Sequence, residues 1–127
     1  MLSRTMTEPT PKRLLVFVTR NGNDDRSTIA FTLASAALST GMDVGVFLAS
    51  DGVDLVREKS WEATRVDPFQ PLASLVDDFI ARGGKIWSCG SCVTHRGLRQ
   101  DAMRPITVSG IGQVVEWIQA GAQVVTL

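Results

Sequence analysis

Apolar residues along the chain occur in two alternating patterns, short continuous runs and stripes with helical spacing. The run RLLVFVT (13–19) is rich in branched and aromatic residues, which is typical of a strand buried on both faces of a parallel sheet. Shorter runs at 42–48, 85–88, 105–108 and 122–127 indicate four further strands. The pattern therefore predicts five strands separated by other elements.

Stripes of apolar residues between these strands predict three helices. The first is expected over 27–40, with Gly41 as its left-handed cap. Its packing residues would be Ile29, Leu33, Ala36 and Ala37. The second stripe ends at the glycine pair 83–84 and the third at Gly121. The members of these two stripes are Leu72, Leu75, Val76, Phe79 and Ile80, and then Ile111, Val114, Val115 and Ile118.

The alternation of strands and helices predicts a three-layer α/β/α fold with a mainly parallel five-stranded sheet. With 127 residues, of which 44% are hydrophobic, the chain is long enough for one core and a single domain. Residues 1–12 contain two prolines and no periodic pattern, so we expect a flexible leader there and the folded domain at 13–127. Between 51 and 71 the pattern is weak and indicates a short helix over 53–59.

Charge and hydropathy exclude two classes of partner. Lys plus Arg and Asp plus Glu number 13 each, so no net field attracts DNA, RNA or an acidic membrane surface. The longest apolar run, Leu14–Val18, is about a quarter of the ~20 residues that span a bilayer, and no secretory signal precedes it. We therefore expect a soluble, cytoplasmic protein without nucleic-acid or membrane partners.

Ligands and chemistry in open parallel sheets gather at the carboxyl ends of the strands. Three loops are expected at that edge, at 20–25, 49–52 and 89–97. The first lacks both glycine-rich phosphate-binding motifs, and its acidic pair, Asp24 and Asp25, would repel an anion. We predict instead that this pair favours the positive end of the following helix.

The third loop belongs to the segment GGKIWSCGSCVTHRGL (83–98), which holds both cysteines and the only histidine of the chain. A C-x-x-C pair in a cytosolic protein favours catalytic, redox or metal chemistry over a structural disulfide. Cys89 follows a strand end, where backbone N–H dipoles and cations such as His95, Arg96 and Arg99 would favour its thiolate. The candidate site residues are therefore Cys89, Cys92, His95 and Arg96.

A zinc site, haem attachment, a thioredoxin motif and simple burial are the other interpretations of the cysteine pair. A closed zinc site needs four ligands, and Cys89, Cys92 and His95 would supply three. Haem attachment is excluded because Val93 stands where the motif requires histidine. Thioredoxin topology does not fit, since only 35 residues follow Cys92. Burial of both cysteines as small core residues stays open, and His95 is as consistent with a structural role as with a base.

The stretch LLVFVTRNGNDDRSTIAFTLASAALSTGMDVGVFLASDGV, followed after a long link by KIWSCGSCVTHRGL, resembles the DsrE/DsrF-like family, also called YchN-like. The resemblance covers about residues 14–127. It implies a parallel five-stranded α/β subunit that assembles into trimers or hexamers and cytoplasmic sulfur transfer. In sulfur-relay members the acceptor cysteine stands about eight residues before the glycine of an Arg-Gly pair, which here is Arg96 and Gly97 and implies Cys89 as the acceptor. Cys92 departs from the single-cysteine pattern, since a second thiol could attack a persulfide and release sulfide.

The expected function is that of a small sulfur carrier or sulfurtransferase-like protein. Cys89 would accept sulfane sulfur as a persulfide, Cys92 would resolve or share it, and His95 and Arg96 would stabilise the anion. No cofactor or metal is expected, and the partners would be sulfur donor and acceptor proteins or small sulfane-sulfur compounds. The alternative is a non-enzymatic oligomeric binding module whose C-x-x-C and histidine hold a metal or sense redox state. A homo-oligomer, trimer or hexamer, is also expected from four large aromatic residues, Phe47, Trp61, Phe69 and Trp87.

Overall fold

The computed structural model describes residues 10–57, 63–98 and 106–127. Five strands alternate with four α-helices and a 3₁₀ helix. The strands are β1 (Arg13–Val18), β2 (Asp43–Leu48), β3 (Lys85–Cys89), β4 (Thr107–Ser109) and β5 (Gln123–Thr126). The α-helices are α1 (Asp25–Ser39), α2 (Leu72–Ala81), α3 (Gly90–His95) and α4 (Gly112–Gln119), and the 3₁₀ helix is Ser50–Val56.

The five strands form one parallel sheet in the order β4-β3-β2-β1-β5. Val16 of β1 pairs with Val46 of β2, and Val46 pairs in turn with Ile86 of β3. The β1-α1-β2 and β2-α2-β3 crossovers run in one direction, whereas the crossover through α4 returns past β1 to β5. Because such crossovers are right-handed, α4 lies on the opposite face of the sheet from α1 and α2. The predicted three-layer α/β fold with a parallel five-stranded sheet is therefore confirmed.

Two apolar clusters fill the space on either side of the sheet. On the face of α1 and α2, the rings of Phe31 and Phe79 meet edge to face with centroids 6.1 Å apart. On the opposite face, Trp117 of α4 packs with Leu15 and Phe47 of the sheet. β1 sends alternate side chains into both clusters, which explains its continuous apolar run. None of the helices in the described residues is long and apolar enough to cross a membrane.

Helix α1 buries a different face from the one that its sequence predicts. Ile29 and Leu33 are 38% and 36% exposed, and Ala36 is also exposed. The prediction that these three residues pack in the core is wrong, whereas the burial predicted for Ala37 is confirmed. The buried face consists of Ser27, Thr28, Ala30, Phe31, Ala34 and Ala37. Small residues there let the helix axis approach the sheet closely, so that a single aromatic ring fills the remaining space.

The first turn of α1 follows the prediction for the acidic pair. Asp24 is the N-cap residue, and its carboxylate accepts the backbone N–H of Arg26 at 2.9 Å. Asp25 is the first residue of the helix, where a negative charge favours the positive end of the helix dipole. The Arg26 side chain bonds the same carboxylate, and these contacts lower the pKa of Asp24.

Helix α4 shows a similar difference, whereas α2 follows its predicted stripe. Of the four residues predicted to pack from α4, Val114 is buried, while Ile111, Val115 and Ile118 are 57%, 47% and 51% exposed. Trp117 supplies the second buried contact of α4. Its ring and that of Trp87 both lie against Gly45, where a Cβ atom would overlap the indole ring of Trp87. The stripe of α2 is confirmed for Leu72, Leu75, Val76 and Phe79, which are buried, and Ile80 is partly buried against the same cluster.

The aromatic residues expected at a subunit interface belong largely to the core. Phe47 is fully buried, and Trp87 packs on Trp117 with ring centroids 5.3 Å apart. The prediction that Phe47 contributes to an interface is therefore wrong, whereas Trp87 and Phe69 are only partly exposed. Trp61, Arg99 and residues 1–9 of the leader lie outside the described residues. The helix predicted over 53–59 extends into positions that are not described, and within the described part a 3₁₀ helix spans Ser50–Val56.

Candidate functional site

Cys89 is the last residue of β3 and the N-cap of α3. Its Sγ accepts the backbone N–H of Cys92 at a distance of 3.4 Å, as a serine or threonine hydroxyl does at most helix starts. Cys89 pairs in register with Ser109 of β4, so it lies at the carboxyl edge of the sheet. The strand passes into the helix without an intervening loop, and this connection fixes the Cys89 sulfur at the start of α3.

Cys92 lies in the first turn of α3 and contacts the loop that follows β2. Its Sγ accepts the backbone N–H of Ser50 at 3.3 Å. The backbone N–H of Cys92 thus donates to the Cys89 sulfur, and the Cys92 sulfur accepts the N–H of Ser50. Both cysteines are free thiols and partly buried, and the contact between the Cys92 N–H and the Cys89 sulfur brings the two residues together. The predicted pair is therefore brought together at the carboxyl edge.

The pKa of the Cys89 thiol is raised, mainly because burial disfavours the thiolate. The hydrogen bond with the Cys92 thiol and the charge of Cys92 raise this pKa further, while the backbone N–H groups of Cys92 and Ser91 lower it. The backbone N–H groups thus act in the expected direction but burial outweighs them, Arg96 contacts Asp51, and Arg99, another expected cation, lies outside the described residues. Cys89 packs against both apolar clusters, so its local environment disfavours charge.

Arg96 makes its contact away from Cys89. Its Nη2 lies 2.9 Å from Oδ1 of Asp51, which follows Ser50 in the loop after β2. Arg96 also follows Cys92 by four residues, about one turn further along the helix. The first two residues of the 3₁₀ helix therefore contact Cys92 of α3 and Arg96, which is the C-cap of α3 and lies one turn further along. The predicted site residue Arg96 belongs to the site, but it interacts with a carboxylate and not with a sulfur.

His95 and Arg96 line two different open clefts beside α3. His95 is exposed and lines a cleft of about 710 Å³ together with Ser91 and Ser109. Arg96 lines a cleft of about 340 Å³ with Asn21 and other polar residues of the loops after β1 and β2. The structure therefore does not bring the two predicted cations together on one side of the cysteine pair.

Sequence reasoning missed Ser50 and Asp51 as parts of this site. The loop 49–52 was expected at the carboxyl edge, but nothing in its composition distinguishes one residue from the next. Among the described non-glycine residues, Ser50 has a positive φ, at 52°. This left-handed conformation is unfavourable for serine and directs its N–H toward Cys92. A three-residue polar stretch after a strand is too common a pattern to indicate such a contact.

Metal binding and thiol chemistry make different demands on this arrangement. Within the part of the chain that the structure describes, no three His, Cys, Asp or Glu side chains are grouped as a metal site. Cys89 and Cys92 form a pair, while His95 lies in the larger cleft. The geometry is that of two neighbouring thiols with backbone N–H donors, which suits nucleophilic attack and thiol exchange.

Comparisons with known proteins match most of the chain. A model of the DsrE/DsrF-like family matches residues 12–127. The uncharacterized protein MJ0760 of Methanocaldococcus jannaschii is 27% identical over 86 residues, which are 68% of this chain and 31% of that protein. The uncharacterized protein MK0008 of Methanopyrus kandleri is 26% identical over 102 residues, which are 80% of this chain and 81% of that protein. The chain thus spans about a third of the first relative and most of the second.

Solved structures share the fold at low sequence identity. The ychN protein of E. coli superposes with a TM-score of 0.75 and 16% identity, covering 93% of this chain and 100% of that one. The protein MTH1491 of Methanobacterium thermoautotrophicum, of unknown function, gives a TM-score of 0.70 and 16% identity, covering 91% and 99%. These similarities establish the architecture of the chain.

Proposed function

The chain belongs to the DsrE/DsrF-like family, which is associated with sulfur relay, and from this premise we propose that it carries sulfane sulfur as a persulfide on Cys89. The observation that supports the proposal most strongly is the pairing of two free thiols at the carboxyl edge of the sheet. A relay cysteine must reach a donor and then an acceptor, and a partly exposed strand end allows both. The donor would be a protein persulfide or a small sulfane-sulfur compound.

In the loading step, the Cys89 thiolate attacks the sulfane sulfur of the donor. A new S–S bond forms on Cys89, the donor's S–S bond breaks, and the donor leaves as a thiolate. The new terminal sulfur extends about 2 Å beyond Sγ. The backbone N–H groups of Ser91 and Cys92 at the start of α3 would stabilise its negative charge.

Cys92, Arg96 and His95 have separate proposed roles. Cys92 would resolve or share the persulfide, since its backbone N–H contacts the Cys89 sulfur and the two side chains are neighbours. Arg96 would act through its ion pair with Asp51, which holds the loop after β2 against α3. A direct contribution of His95 to anion binding stays a prediction, for which its exposure in the larger cleft provides access to an incoming donor.

Homo-oligomeric assembly, as a trimer or hexamer, is part of the proposal. Support for assembly comes from the surface of α4 and β5. Four large apolar residues there are 42% to 57% exposed: Ile111, Val115, Ile118 and Val124. Contiguous apolar surface of this kind usually marks an interface. Light scattering should show an oligomer that Ile118→Asp dissociates, and a monomeric mass for the unmodified protein at all concentrations would contradict assembly.

Intact-mass spectrometry tests the persulfide directly. After incubation with an organic persulfide and gel filtration, the protein should gain the mass of one sulfur atom. Cys89→Ser should abolish the adduct while keeping the helix start, because serine is a good N-cap residue. Cys92→Ser should prolong the lifetime of the adduct. If neither the unmodified protein nor Cys92→Ser gains sulfur, and purified protein holds zinc at near one equivalent, the metal-binding alternative replaces sulfur carriage.

A further inference from the structure

We propose that the segment Ala49–Gly52, which joins β2 to the 3₁₀ helix and is called the loop below, positions Cys92 as the thiol that attacks a loaded Cys89, so that a persulfide on Cys89 is discharged as hydrosulfide. The inference rests on the proposed function and assigns a task to residues outside the C-x-x-C motif. Ser50 would provide the N–H donor for the Cys92 sulfur. Asp51 and Arg96 would keep that donor in place, which makes them positioning residues.

The loop is held on the end of β1 by its own backbone. The N–H of Ala49 donates to the carbonyl of Val18 at 2.9 Å, and the N–H of Gly52 donates to the carbonyl of Ala49 at 2.9 Å. Gly52 lies so close to β1 that a Cβ atom there would overlap the Val18 carbonyl oxygen. Ser50, between these two anchors, has a φ of 52°. An unfavourable backbone conformation persists where the surrounding contacts fix it, and such residues cluster at functional sites.

The loop contacts α3 at two points. The Ser50 N–H lies 3.3 Å from the Cys92 sulfur, and the Asp51 carboxylate lies 2.9 Å from Arg96. Residues four apart lie on the same side of a helix, so the two contacts together define how α3 sits against the loop. Loss of the ion pair would remove one of these two polar contacts and leave the N–H···S contact without its support. Arg96 therefore acts on the sulfur indirectly, through the loop.

The two sulfurs have similar surroundings, since each accepts one backbone N–H and each packs against both apolar clusters. Cys92 differs in the source of its N–H, because Ser50 belongs to another element and is fixed by its own backbone anchors. Once Cys89 carries a persulfide, Cys92 is the neighbouring thiol, and the contact with Ser50 holds its sulfur in place for attack.

The discharge step balances as an ordinary thiol exchange. The Cys92 thiolate attacks Sγ of the Cys89 persulfide, a Cys89–Cys92 disulfide forms, and the bond to the outer sulfur breaks. The outer sulfur leaves with the electron pair as hydrosulfide, so it is reduced while the two cysteine sulfurs are oxidised. An external dithiol then reduces the disulfide in two exchanges and restores both thiols. The protein would thereby convert sulfane sulfur to hydrosulfide at the expense of that dithiol.

The first experiment measures Cys92 alone, without any sulfur donor. In a Cys89→Ser background, the rate of iodoacetamide labelling at neutral pH reports the reactivity of the Cys92 sulfur. Ser50→Gly keeps the N–H and adopts the left-handed conformation readily, so its rate should stay within about twofold of the background. Ser50→Val disfavours that conformation and displaces the N–H, so its rate should fall about fivefold or more. Circular dichroism establishes that both variants are folded.

A second pair of variants covers the case in which Ser50→Val does not fold. Asp51→Asn and Arg96→Gln each remove the ion pair and leave the loop backbone intact, and each should slow Cys92 labelling about twofold or more. Equal labelling rates in folded Ser50→Val and Ser50→Gly would overturn the proposal, as would unchanged rates in both ion-pair variants.

The last experiment follows hydrosulfide release from protein with both cysteines. Ser50→Val should load persulfide on Cys89 as fully as the unmodified protein but release hydrosulfide about fivefold more slowly, and Ser50→Gly should restore the rate. Release at the same rate in Ser50→Val would overturn the assigned role of the loop while leaving sulfur carriage intact. If no protein gains sulfur at all, the proposed function fails and the discharge step fails with it, whereas the labelling rates still test the placement of Cys92.

Discussion

At the amino edge of the sheet, Asp43 binds Arg13 and Lys85 at 3.1 Å each, and both cations lie over the ring of Trp117. At the carboxyl edge, Ser50 adopts a left-handed backbone and two sulfurs accept backbone N–H groups. The first edge satisfies its charges with one another. The second edge holds its two sulfurs with backbone N–H groups, and one of these N–H groups belongs to Ser50, whose backbone conformation is unfavourable.

This difference separates stability from function within one sheet. Mutually satisfied side chains at the amino edge join the starts of β1, β2 and β3 and anchor α4 to them. At the carboxyl edge, the buried hydroxyl of Ser88, next to Cys89, has no hydrogen-bond partner among the described residues. Local rules of structure are broken most often where a protein carries out chemistry. Substitutions in the group around Asp43 and Trp117 should therefore change stability, and those of residues that contact the two sulfurs should mainly change reactivity.

The largest expected effect is that of Trp117→Ala at the amino edge. Trp117 is 5% exposed, packs on Trp87 and lies beneath two cations. Its truncation should lower the free energy of unfolding by about 3 to 4 kcal/mol. Ile118→Ala, at the neighbouring and 51% exposed position, is the control and should cost less than about 0.5 kcal/mol in a monomeric reference. Urea unfolding measures both, and equal losses would contradict the assignment of Trp117 to the core.

Two buried serines sharpen the comparison at the carboxyl edge. Ser27 Oγ donates to the carbonyl oxygens of Arg20 and Asn21 at 2.9 and 2.7 Å, whereas Ser88 Oγ has no partner among the described residues. Ser27→Ala should destabilise the protein by about 1 kcal/mol or more, and Ser88→Ala should be neutral or stabilise it by up to about 1 kcal/mol. Thermal unfolding of the two variants side by side checks the difference. A loss of stability in Ser88→Ala equal to that in Ser27→Ala would show that Ser88 is hydrogen-bonded.

A smaller effect is expected from the bridging carboxylate at the amino edge. Asp43→Asn removes two ion pairs whose side chains are partly exposed, so unfolding should become easier by about 0.5 to 1 kcal/mol. Asp67→Asn is the matched control, because Asp67 also pairs with an arginine but is 81% exposed. The free energy of unfolding of the Asp67→Asn variant should equal that of the unmodified protein. The difference between the two variants should shrink in high salt, which screens exposed pairs.

The smallest effect is the dependence of stability on pH that comes from Cys89. Its pKa is raised in the folded protein by burial, so the folded state holds the thiol proton more tightly than the unfolded state does. The contribution of this proton to the free energy of unfolding is fully present below the ordinary cysteine pKa. It is lost as pH rises through the raised pKa of the folded protein. Under reducing conditions, unfolding free energies measured across this range should fall more steeply for the unmodified protein than for Cys89→Ser. Parallel curves would contradict the burial of the thiolate.

The sequence predicted those parts of the molecule whose signal is local. The run over β1 and the stripe of α2 specify their elements because hydrophobic residues recur at the period of the structure. The buried face of α1 escaped prediction because its contacts depend on small residues such as Ala30 and Ala34, whose low hydropathy hides their close packing. Pattern alone therefore favours the larger aliphatic side chains, which here face outward.

The candidate site divides along the same line. Cys89 and Cys92 are three positions apart in the sequence, and this spacing at a strand end was enough to predict that they meet. The contacts of Ser50 with Cys92 and of Asp51 with Arg96 join residues more than 40 positions apart, and they depend on the tertiary arrangement of β2 and β3. No periodic pattern encodes such a contact, so Arg96 was assigned to the sulfur and not to the loop.

The position of the sulfane sulfur tests the central claim most directly, namely that the carboxyl edge works as a sulfur carrier through Cys89. Both cysteines lie in the tryptic peptide 86–96, so the adduct must be alkylated at once and the peptide fragmented between the two residues. In Cys92→Ser, which retains the adduct longest, the account predicts one additional sulfur on Cys89 and none elsewhere. Persulfide formation on Cys92 in Cys89→Ser at the same rate and extent, or no adduct in any variant, would contradict it.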